Sequence, residues 1–334
     1  MPILLLRHCR FSRLLPSIFR PAPATPAPDS FVSGSLAALA ALLLVLALQG
    51  CSLGPVVRDV ALPGPPTVLL AAGDIADCRR VAAHRSGAEK TAKRIERELA
   101  QWPSAQVLTL GDNTYPVGLP AEFSDCYHPT WGRFKERTLP AAGNHDYYTK
   151  GAAGYYGYFG ARAGPQGKGY YATNAGSWKL IALNSALPRQ ALSAQLEWLK
   201  AELATTPSLC TLAFFHHPPF SSGGRGNNPA MLPLWQMLVA GGVDVVLTAH
   251  DHHYERFAPM NGDGVGSQGG TRQFVVGTGG ATLSWLSLPL PASEARSNSG
   301  LGVLKLELRD GGYSWDFLAA DAATFTDRGH GLCH

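Results

Sequence analysis

Five apolar runs in the sequence each end in side chains that could bind a metal ion. After the second run, Gly111-Asp112-Asn113-Thr114-Tyr115 brings a carboxylate and a phenol together. Alone, an Asp-Asn pair after a strand is more often a turn, because both side chains hydrogen-bond the local backbone. Each other run also has an ordinary interpretation as a turn, a loop or a core histidine, but five such coincidences are far less expected. The candidate ligands are Asp74, Asp112, Tyr115, Asn144, His216, His250 and His252, with His145 beside them.

The apolar runs that precede these residues have the length and composition of buried strands. We predict strands at 67–72, 106–110, 139–142, 211–215 and 243–248, and helices at 87–101, 192–203 and 229–240. Strands that alternate with helices indicate α/β layering, and the last third, where strands follow one another without helices, indicates antiparallel additions. The Gly- and Tyr-rich residues 151–169 are predicted to form a long ordered loop, and 221–224 a flexible loop near the site.

Composition and charge describe a globular protein with ample core, since 46% of its 334 residues are hydrophobic and 16% are charged. The formal net charge is only +4. Much of it comes from the N-terminus, where Arg7, Arg10, Arg13 and Arg20 precede the first aspartate. No basic stripe interleaved with aromatic residues appears, so the sequence has no electrostatic footprint for nucleic-acid binding.

Residues 1–50 are interpreted as an N-terminal extension and export signal, because basic residues precede an apolar run at 36–48. The run is short for a membrane-spanning helix. It ends in Leu48-Gln49-Gly50-Cys51, which resembles the lipobox of bacterial lipoproteins, whose cysteine becomes acylated. Simple cleavage near Gly50 and an uncleaved anchor remain alternatives. We expect a Pro-rich tether at 51–64 and one catalytic domain at 65–334, in the periplasm or anchored to the membrane of a bacterial envelope.

The remaining cysteines agree with export, because an even number in an exported protein favours disulfides over free thiols. Four cysteines allow three connectivities, and no C-x-x-C spacing indicates zinc. We favour Cys78–Cys126, which would join the loops after the first two strands, and Cys210–Cys333, which would hold the C-terminal tail.

The order of the motifs resembles that of the calcineurin-like metallophosphoesterases, most closely their purple acid phosphatase branch. The resemblance covers residues from about 67 to 256. It implies an α/β fold, a four-layer αββα sandwich of two mixed β-sheets flanked by helices. Ala249 stands where the family usually has Gly, and Ala76 where many branches have a metal-binding His that the purple acid branch replaces by tyrosine. The matching motifs are Gly73-Asp74, Gly111-Asp112-x-x-Tyr115, Gly143-Asn144-His145-Asp146, His216-x-Pro218 and His250-x-His252-x-Tyr254-Glu255-Arg256.

The resemblance implies two metal ions per chain, bridged by Asp112. A phenolate suits a trivalent ion, whereas imidazoles and an amide suit a divalent one, so the pair would be Fe(III) with Zn, Fe or Mn. His145 would hydrogen-bond the phosphoryl group or protonate the leaving oxygen. His217 and His253, which neighbour ligands, could each contact the substrate or point to solvent, and we favour solvent. The implied ligands are Asp74, Asp112, Tyr115 and His252 for the first ion, and Asp112, Asn144, His216 and His250 for the second.

The function expected from these features is hydrolysis of phosphate monoesters by a metal-activated hydroxide, as in acid phosphatases, in an exported protein. Its partner would be a small phosphorylated substrate, and only a lipid on Cys51 would attach it to a membrane. One alternative is a phosphodiesterase that acts on nucleotides or phospholipid headgroups with the same metal pair. Another is a non-catalytic metal-binding surface lipoprotein, although every expected ligand position is filled.

Overall fold

Two mixed β-sheets packed against each other form the centre of the protein in the computed structural model, which describes residues 64–205, 210–321 and 325–334. The predicted export signal, the cysteine proposed for lipidation and nearly all of the predicted tether lie outside the described residues. The strands are β1 (Thr67–Ala72), β2 (Gln106–Leu110), β3 (Thr138–Ala141), β4 (Tyr171–Ala175), β5 (Trp178–Ala182), β6 (Cys210–Phe214), β7 (Val245–Thr248), β8 (Tyr254–Met260), β9 (Thr271–Val276), β10 (Ser293–Ser297), β11 (Gly302–Arg309), β12 (Gly312–Ala319) and β13 (Arg328–Leu332).

Short and long helices connect these strands. The α-helices are α1 (Gly87–Gln101), α2 (Pro120–Glu122), α3 (Asn144–Tyr148), α4 (Ala153–Phe159), α5 (Arg189–Ala204) and α6 (Leu232–Ala240). Single 3-10 turns lie at Ala83–Arg85, Lys150–Ala152, Gly160–Ala163 and Pro229–Met231, with a longer one at Trp131–Arg137 and a π-helical turn at Phe123–Tyr127.

The first sheet has the strand order β13-β12-β11-β1-β2-β3 and the second β10-β8-β9-β7-β6-β5-β4. Strands β1, β2 and β3 are parallel, and β11, β12 and β13 continue the first sheet antiparallel, as the helix-free C-terminal third predicts. In the second sheet β5, β6, β7 and β9 are parallel, while β4, β8 and β10 are antiparallel additions.

Alternate residues of the inner strands enter different cores. In β6, Leu212 and Phe214 belong to the core between the sheets, whereas Ala213 faces the outer core with Trp235 of α6 and Leu199 of α5. Burial on both faces explains why the inner strands are continuous apolar runs. Helix α1 packs on β11 and β12 of the first sheet. The layers are therefore helix, sheet, sheet and helix, which confirms the predicted αββα sandwich.

Helix α1 begins with a side-chain cap. The Ser86 hydroxyl accepts a hydrogen bond from the backbone N–H of Glu89 at 3.2 Å, so one of the unpaired N–H groups of the first turn is satisfied. Ala88, Ala92 and Ile95 lie on the buried face. Their spacing of three to four residues places them along one stripe, as an amphipathic helix requires.

The predicted loop at 151–169 is wrong for its first half. Helix α4 occupies Ala153–Phe159 despite glycines at 154 and 157, which disfavour helices. Aromatic packing explains the helix: the Phe159 ring lies 5.3 Å from Tyr155 and 6.0 Å from Phe123, and Tyr158 stacks on Phe123 at 5.2 Å. Such ring pairs add stabilisation beyond buried area and can outweigh a weak local helix preference.

Both predicted disulfides are present. Cys78 bonds to Cys126 with a Cα–Cα distance of 5.8 Å, and Cys210 bonds to Cys333 with a Cα–Cα distance of 5.5 Å. Disulfides of this kind are typical of secreted proteins. Among the described residues, no helix is long and apolar enough to cross a membrane.

Candidate metal centre

The predicted ligand residues meet where strands of the two sheets end side by side. Asp74 follows β1 and Asp112 follows β2, and the Asp74 N–H donates to Gly111 O at 3.1 Å. Across the sheet boundary, the Gly73 N–H donates to Val276 O of β9 at 2.9 Å. A methyl group on Gly73 would lie 2.5 Å from the Ala249 side chain. The absence of a side chain at Gly73 and the small side chain of Ala249 therefore let the strand ends of the two sheets approach closely.

Three of these residues have a left-handed backbone that is rare outside glycine. The φ angles are 58° at Asp74, 48° at Asp112 and 69° at His250. Such conformations cost about 1–3 kcal/mol each and persist only where surrounding contacts impose them. They turn the three side chains away from the strand direction and into the space between the sheets.

One group of ligand atoms gathers around the Tyr115 hydroxyl. Its oxygen lies 2.7 Å from Asp74 Oδ1, 3.2 Å from His252 Nε2 and 3.4 Å from Asp112 Oδ2. His252 Nε2 is also 3.2 Å from Asp74 Oδ1. Tyr115 is only 4% exposed, so its side chain is shielded from water by the surrounding protein.

A second group gathers around His216 Nε2. This atom lies 3.2 Å from each of Asp112 Oδ2, Asn144 Oδ1 and His250 Nδ1. Asp112 Oδ2 belongs to both groups, because the Tyr115 hydroxyl lies on its other side. The structure therefore brings all seven predicted ligands together, with one carboxylate oxygen between two clusters.

Hydrogen bonds to the backbone hold the carboxylates in this arrangement. Asp74 Oδ2 accepts from the His250 N–H at 2.8 Å, and Asp112 Oδ1 accepts from the His145 N–H at 2.7 Å. In each carboxylate one oxygen is thus engaged and the other faces the clusters. Ligands that are oriented by such outer contacts bind metal ions more strongly than unconstrained ones.

The histidines and the asparagine are oriented in the same way. His216 Nδ1 donates to Leu110 O at 2.9 Å, and His252 Nδ1 donates to Thr282 O at 2.7 Å, so in the neutral form of each ring Nε2 carries the lone pair. Asn144 Nδ2 donates to the Tyr148 hydroxyl at 3.0 Å, which turns Oδ1 towards His216. Lone pairs this close repel each other unless a cation lies between them. The donor set therefore fits two metal ions, with imidazole, carboxylate, amide and phenol ligands.

The electrostatics of the centre also call for positive charge. Burial alone would lower the pKa of His216, but the Asp112 carboxylate outweighs it and raises the pKa to about 9. Burial, followed by the charges of Asp74 and Asp112, raises the pKa of the Tyr115 phenol well above its ordinary value. Without metal, protons would have to neutralise these anions. Bound cations would replace those protons and favour the ionised phenol.

His145 lies beside the two clusters and outside them. Its Nδ1–H donates to Pro116 O at 2.5 Å, and Nε2 is 3.9 Å from Asp112 Oδ2. The ring packs at 4.5 Å from Tyr115 and 4.7 Å from the exposed Tyr148. Nε2 is thus free to meet a molecule bound at the metal centre.

Asp146, the last residue of the Gly143–Asp146 motif, was given no role by the sequence. Its buried carboxylate accepts from the Gly143 N–H at 2.8 Å and from Asn113 Nδ2 at 3.0 Å. Burial and then the charge of Asp112 raise the pKa of Asp146 to about 7. Asp146 therefore joins the turn after β3 to the turn after β2. In the sequence, only its position in the Gly143–Asp146 motif could have indicated this structural role.

Two histidines that the sequence interpretation placed in solvent are directed inward. The half-buried His217 ring lies 4.4 Å from His250, with Nδ1 at 2.9 Å from the Ser185 hydroxyl. Burial and the neighbouring His216 lower its pKa to about 3. His253 is buried and lies 3.1 Å from Glu255 Oε2 through Nε2. Adjacent positions in a loop carry no period that would have shown this.

The predicted flexible loop at 221–224 is instead held in place. The Ser221 hydroxyl donates to Asp251 Oδ2 at 2.5 Å, and the Ser222 N–H donates to Glu255 Oε2 at 2.8 Å. Both serines are buried. The loop is therefore joined to the segment that carries His250 and His252. Asp244, near the Cys210–Cys333 disulfide, adds no metal site there because both cysteine sulfurs are bonded to each other.

The chain is similar to known phosphatases. It is 33% identical over 119 residues to purple acid phosphatase 18 of Arabidopsis thaliana, covering 33% of this chain and 26% of that protein. The chain spans less than half the length of the curated relatives that it matches. Among solved structures, a purple acid phosphatase from yellow lupin seeds has a TM-score of 0.63 at 19% identity, covering 81% of this chain and 55% of that one. A dimetal phosphatase from Danio rerio has a TM-score of 0.53 at 11% identity, covering 81% and 100%.

The similarities to solved structures show the fold alone, whereas a match to a family model shows the family. The model, described as calcineurin-like phosphoesterase, matches residues 32–254, which include every residue of the two ligand clusters. The match ends at Tyr254, two residues after His252, so the antiparallel strands of the C-terminal third lie almost entirely beyond it. The chain belongs to the calcineurin-like phosphoesterase family.

Proposed function

We propose that this protein is an exported binuclear-metal phosphoesterase that hydrolyses phosphate monoesters in the manner of acid phosphatases. The observation that carries the proposal is the shared Asp112 Oδ2, which lies 3.4 Å from the Tyr115 hydroxyl and 3.2 Å from His216 Nε2. A carboxylate oxygen between two sets of ligands is the arrangement that two bridged metal ions need.

The first ion would be bound by Asp74, Asp112, Tyr115 and His252, and the second by Asp112, Asn144, His216 and His250. The phenol favours Fe(III) at the first position, and the imidazoles and amide favour Zn, Fe or Mn as a divalent ion at the second. When bound, the pair would supply Lewis-acid stabilisation of the phosphoryl oxygens and a water of lowered pKa for in-line attack.

His145 would serve as the proton donor. Because its Nδ1–H is committed to Pro116 O at 2.5 Å, Nε2 carries a proton only in the imidazolium form. An imidazolium Nε2–H that faces the substrate can donate to a phosphoryl oxygen and then protonate the leaving oxygen. Its backbone N–H meanwhile holds Asp112 Oδ1 at 2.7 Å, so a single residue orients the bridging ligand and meets the substrate.

Export is the part of the proposal supported by the two disulfides, Cys78–Cys126 and Cys210–Cys333. We include in it the export signal at 1–50, the tether at 51–64, the catalytic domain at 65–334, and attachment to a bacterial envelope through a lipid on Cys51. Mass spectrometry of the membrane-extracted protein should find Cys51 acylated at a new N-terminus. An unmodified chain that begins elsewhere would contradict lipidation.

The function is tested by metal analysis together with a matched pair of substrates, 4-nitrophenyl phosphate and bis(4-nitrophenyl) phosphate. We expect two metal ions per chain and faster turnover of the monoester. Asp112→Asn should lower activity at least about a hundredfold and reduce metal content at both positions, because a shared ligand is lost. Asp263→Asn, which changes an exposed carboxylate, serves as the control.

Two outcomes would contradict the proposal. Preferential hydrolysis of the diester would identify a phosphodiesterase with the same centre. A protein that holds two ions and hydrolyses neither ester would be a metal-binding protein without this activity.

A further inference from the structure

An arginine without a partner lies at the edge of the metal centre. Arg225 is exposed, and within the described residues its guanidinium makes no hydrogen bond and no ion pair. Its backbone N–H donates to Asp251 Oδ1 at 3.0 Å. Because Asp251 lies between His250 and His252 in the chain, this bond holds Arg225 next to two proposed metal ligands.

The loop that carries Arg225 is rigidly supported. Both oxygens of Asp251 are used, one by Arg225 and one by the Ser221 hydroxyl at 2.5 Å. The Gly226 N–H closes the turn onto Gly223 O at 3.2 Å. A methyl group on Gly223 would lie 2.5 Å from the Asp251 carboxyl carbon, so the loop lies directly against the metal-binding segment. The backbone that carries Arg225 is therefore fixed before any ligand arrives.

An exposed tryptophan lies beside this loop. A methyl group on Gly224, the residue before Arg225, would lie 2.8 Å from Trp285 Nε1 and 2.9 Å from its Cε2, so the indole packs over the loop. The segment before Trp285 is bound to a proposed ligand: the Ser284 N–H donates to His252 O at 2.9 Å, and Thr282 O accepts from the ring of His252. The indole therefore lies at the edge of the metal centre, next to Arg225.

The exposure of this indole distinguishes it from the others. All seven tryptophans fall in the described part of the chain, and Trp285 is the only exposed one, at 64%. An exposed indole offers a flat face on which a planar group can stack.

Arg225 brings a positive charge to the edge of the centre, because its loop is bonded to Asp251, the residue between His250 and His252. Guanidinium groups bind phosphate oxygens through paired, charge-assisted hydrogen bonds.

We propose that Arg225 and Trp285 form a substrate subsite, in which Arg225 binds a phosphoryl oxygen and Trp285 stacks on a planar aromatic leaving group. The substrate class is a phosphate monoester of an aromatic alcohol. The inference rests on the proposed function, because it assigns the substrate of the same metal centre.

The test measures binding of phenylphosphonate and methylphosphonate to the metal-loaded protein by calorimetry, since neither C–P bond is hydrolysed by a phosphoesterase. The wild type should bind phenylphosphonate about tenfold more tightly, as stacking on an indole permits. Trp285→Ala should remove this difference and leave the affinity for methylphosphonate unchanged. Arg225→Ala should weaken both ligands about tenfold, with partial recovery in Arg225→Lys.

Two variants serve as matched controls. Leu288→Ala removes another exposed apolar side chain from the Trp285 segment, and Arg97→Ala removes an exposed arginine from the outer helix α1. Both should bind the two phosphonates like the wild type. Metal analysis of every variant shows whether the centre itself is intact, and quenching of tryptophan emission by phenylphosphonate should be lost in Trp285→Ala.

The outcomes separate this inference from the proposed function. A wild type that hydrolyses 4-nitrophenyl phosphate but binds both phosphonates equally would overturn the subsite alone. Retention of the ring preference in Trp285→Ala, or unchanged affinities in Arg225→Ala, would overturn it too. Phosphonate binding with the expected pattern in a protein that hydrolyses no ester would instead contradict the proposed function and leave the subsite standing.

Discussion

At the scale of single residues, Tyr115 is hydrogen-bonded through its backbone to Ala76. Ala76 is fully buried, and its carbonyl accepts from the Tyr115 N–H at 3.0 Å while its own N–H donates to Asn113 O at 3.1 Å. Alanine offers no ligand atom, whereas the phenol of Tyr115 lies 2.7 Å from Asp74 Oδ1. If the phenol is ionised by a bound metal, its anionic oxygen favours an ion of higher charge, as the proposed function requires.

Tyr115→Phe tests this assignment of the ligand. The isolated wild type should show a visible iron–phenolate absorption band, and the variant should lose it together with affinity for the first ion. Absorption spectra and metal analysis measure both effects. Tyr127→Phe is the control, because the buried Tyr127 hydroxyl has no hydrogen-bond partner within the described residues and is not one of the candidate ligands. A colourless wild type that is fully active with divalent ions alone would disprove the role of the phenol.

At the scale of elements, the strand ends are tight turns that approach one another closely. Gly111 has a φ of 88°, and a methyl group there would lie 2.7 Å from Cβ, Cγ and Nδ1 of His216. The turn after β2 and the turn after β6 are thus in direct contact through a glycine. Only glycine combines this backbone conformation with the absence of a side chain.

Gly111→Ala should therefore displace His216 and strain the turn after β2. We expect a loss of stability of roughly 1–3 kcal/mol from the backbone conformation alone, with weaker metal binding in addition. Urea unfolding and metal analysis measure the two effects. Gly157→Ala in α4 is the matched control, since a methyl group there meets nothing within 4 Å. It should be neutral or slightly stabilising, because alanine favours helix. Equal behaviour of the two variants would refute the proposed close contact.

At the scale of the whole molecule, Asp327 joins the C-terminal segment to both sheets. Its carboxylate accepts from the Tyr254 hydroxyl at 2.7 Å and from Arg256 Nε at 2.8 Å, both in β8, and from Trp315 Nε1 in β12 at 3.1 Å. The Cys210–Cys333 disulfide ties the end of the same segment to β6. The segment that follows the metal-binding motifs thus connects the two sheets in two ways. One is the charged and hydrogen-bonded contacts of Asp327, and the other is the Cys210–Cys333 disulfide.

Asp327→Asn should destabilise the protein by about 2–4 kcal/mol at neutral pH, because Arg256 and its neighbours lose a buried charged partner. Burial alone would raise the pKa of Asp327, but hydrogen bonds from Arg256 and Tyr254 outweigh it and hold the pKa below its ordinary value. A carboxylate with a lowered folded pKa stabilises the fold above its unfolded pKa, about 3.9, and loses this effect as the pH falls through the folded pKa.

Urea unfolding of the wild type and Asp327→Asn as a function of pH measures this contribution. The difference in unfolding free energy should be constant near neutral pH and shrink below about pH 4. Asp263→Asn, an exposed carboxylate, should show little difference at any pH. A difference that persists unchanged at low pH would show that the carboxylate acts through shape alone.

The sequence by itself determined the types of the candidate ligands, their order along the chain and the layered α/β class, but it left three disulfide connectivities open. The determined features are local: apolar runs of strand length end in polar residues, and each run can be recognised without its neighbours. Helix α4 and the inward direction of His253 were missed, because aromatic packing and contacts with Glu255 come from residues outside the local pattern.

Only the tertiary structure determined which side-chain atoms from distant parts of the chain lie close together. The sequence contains Asp112, Arg225 and Trp285 at distant positions, and no periodicity relates them. Packing of the two sheets places Asp112 Oδ2 between two clusters of candidate ligands, and the loop held by Asp251 places Gly224, the residue before Arg225, against the indole of Trp285. Such contacts depend on how buried faces fit together in three dimensions, which local propensity does not encode.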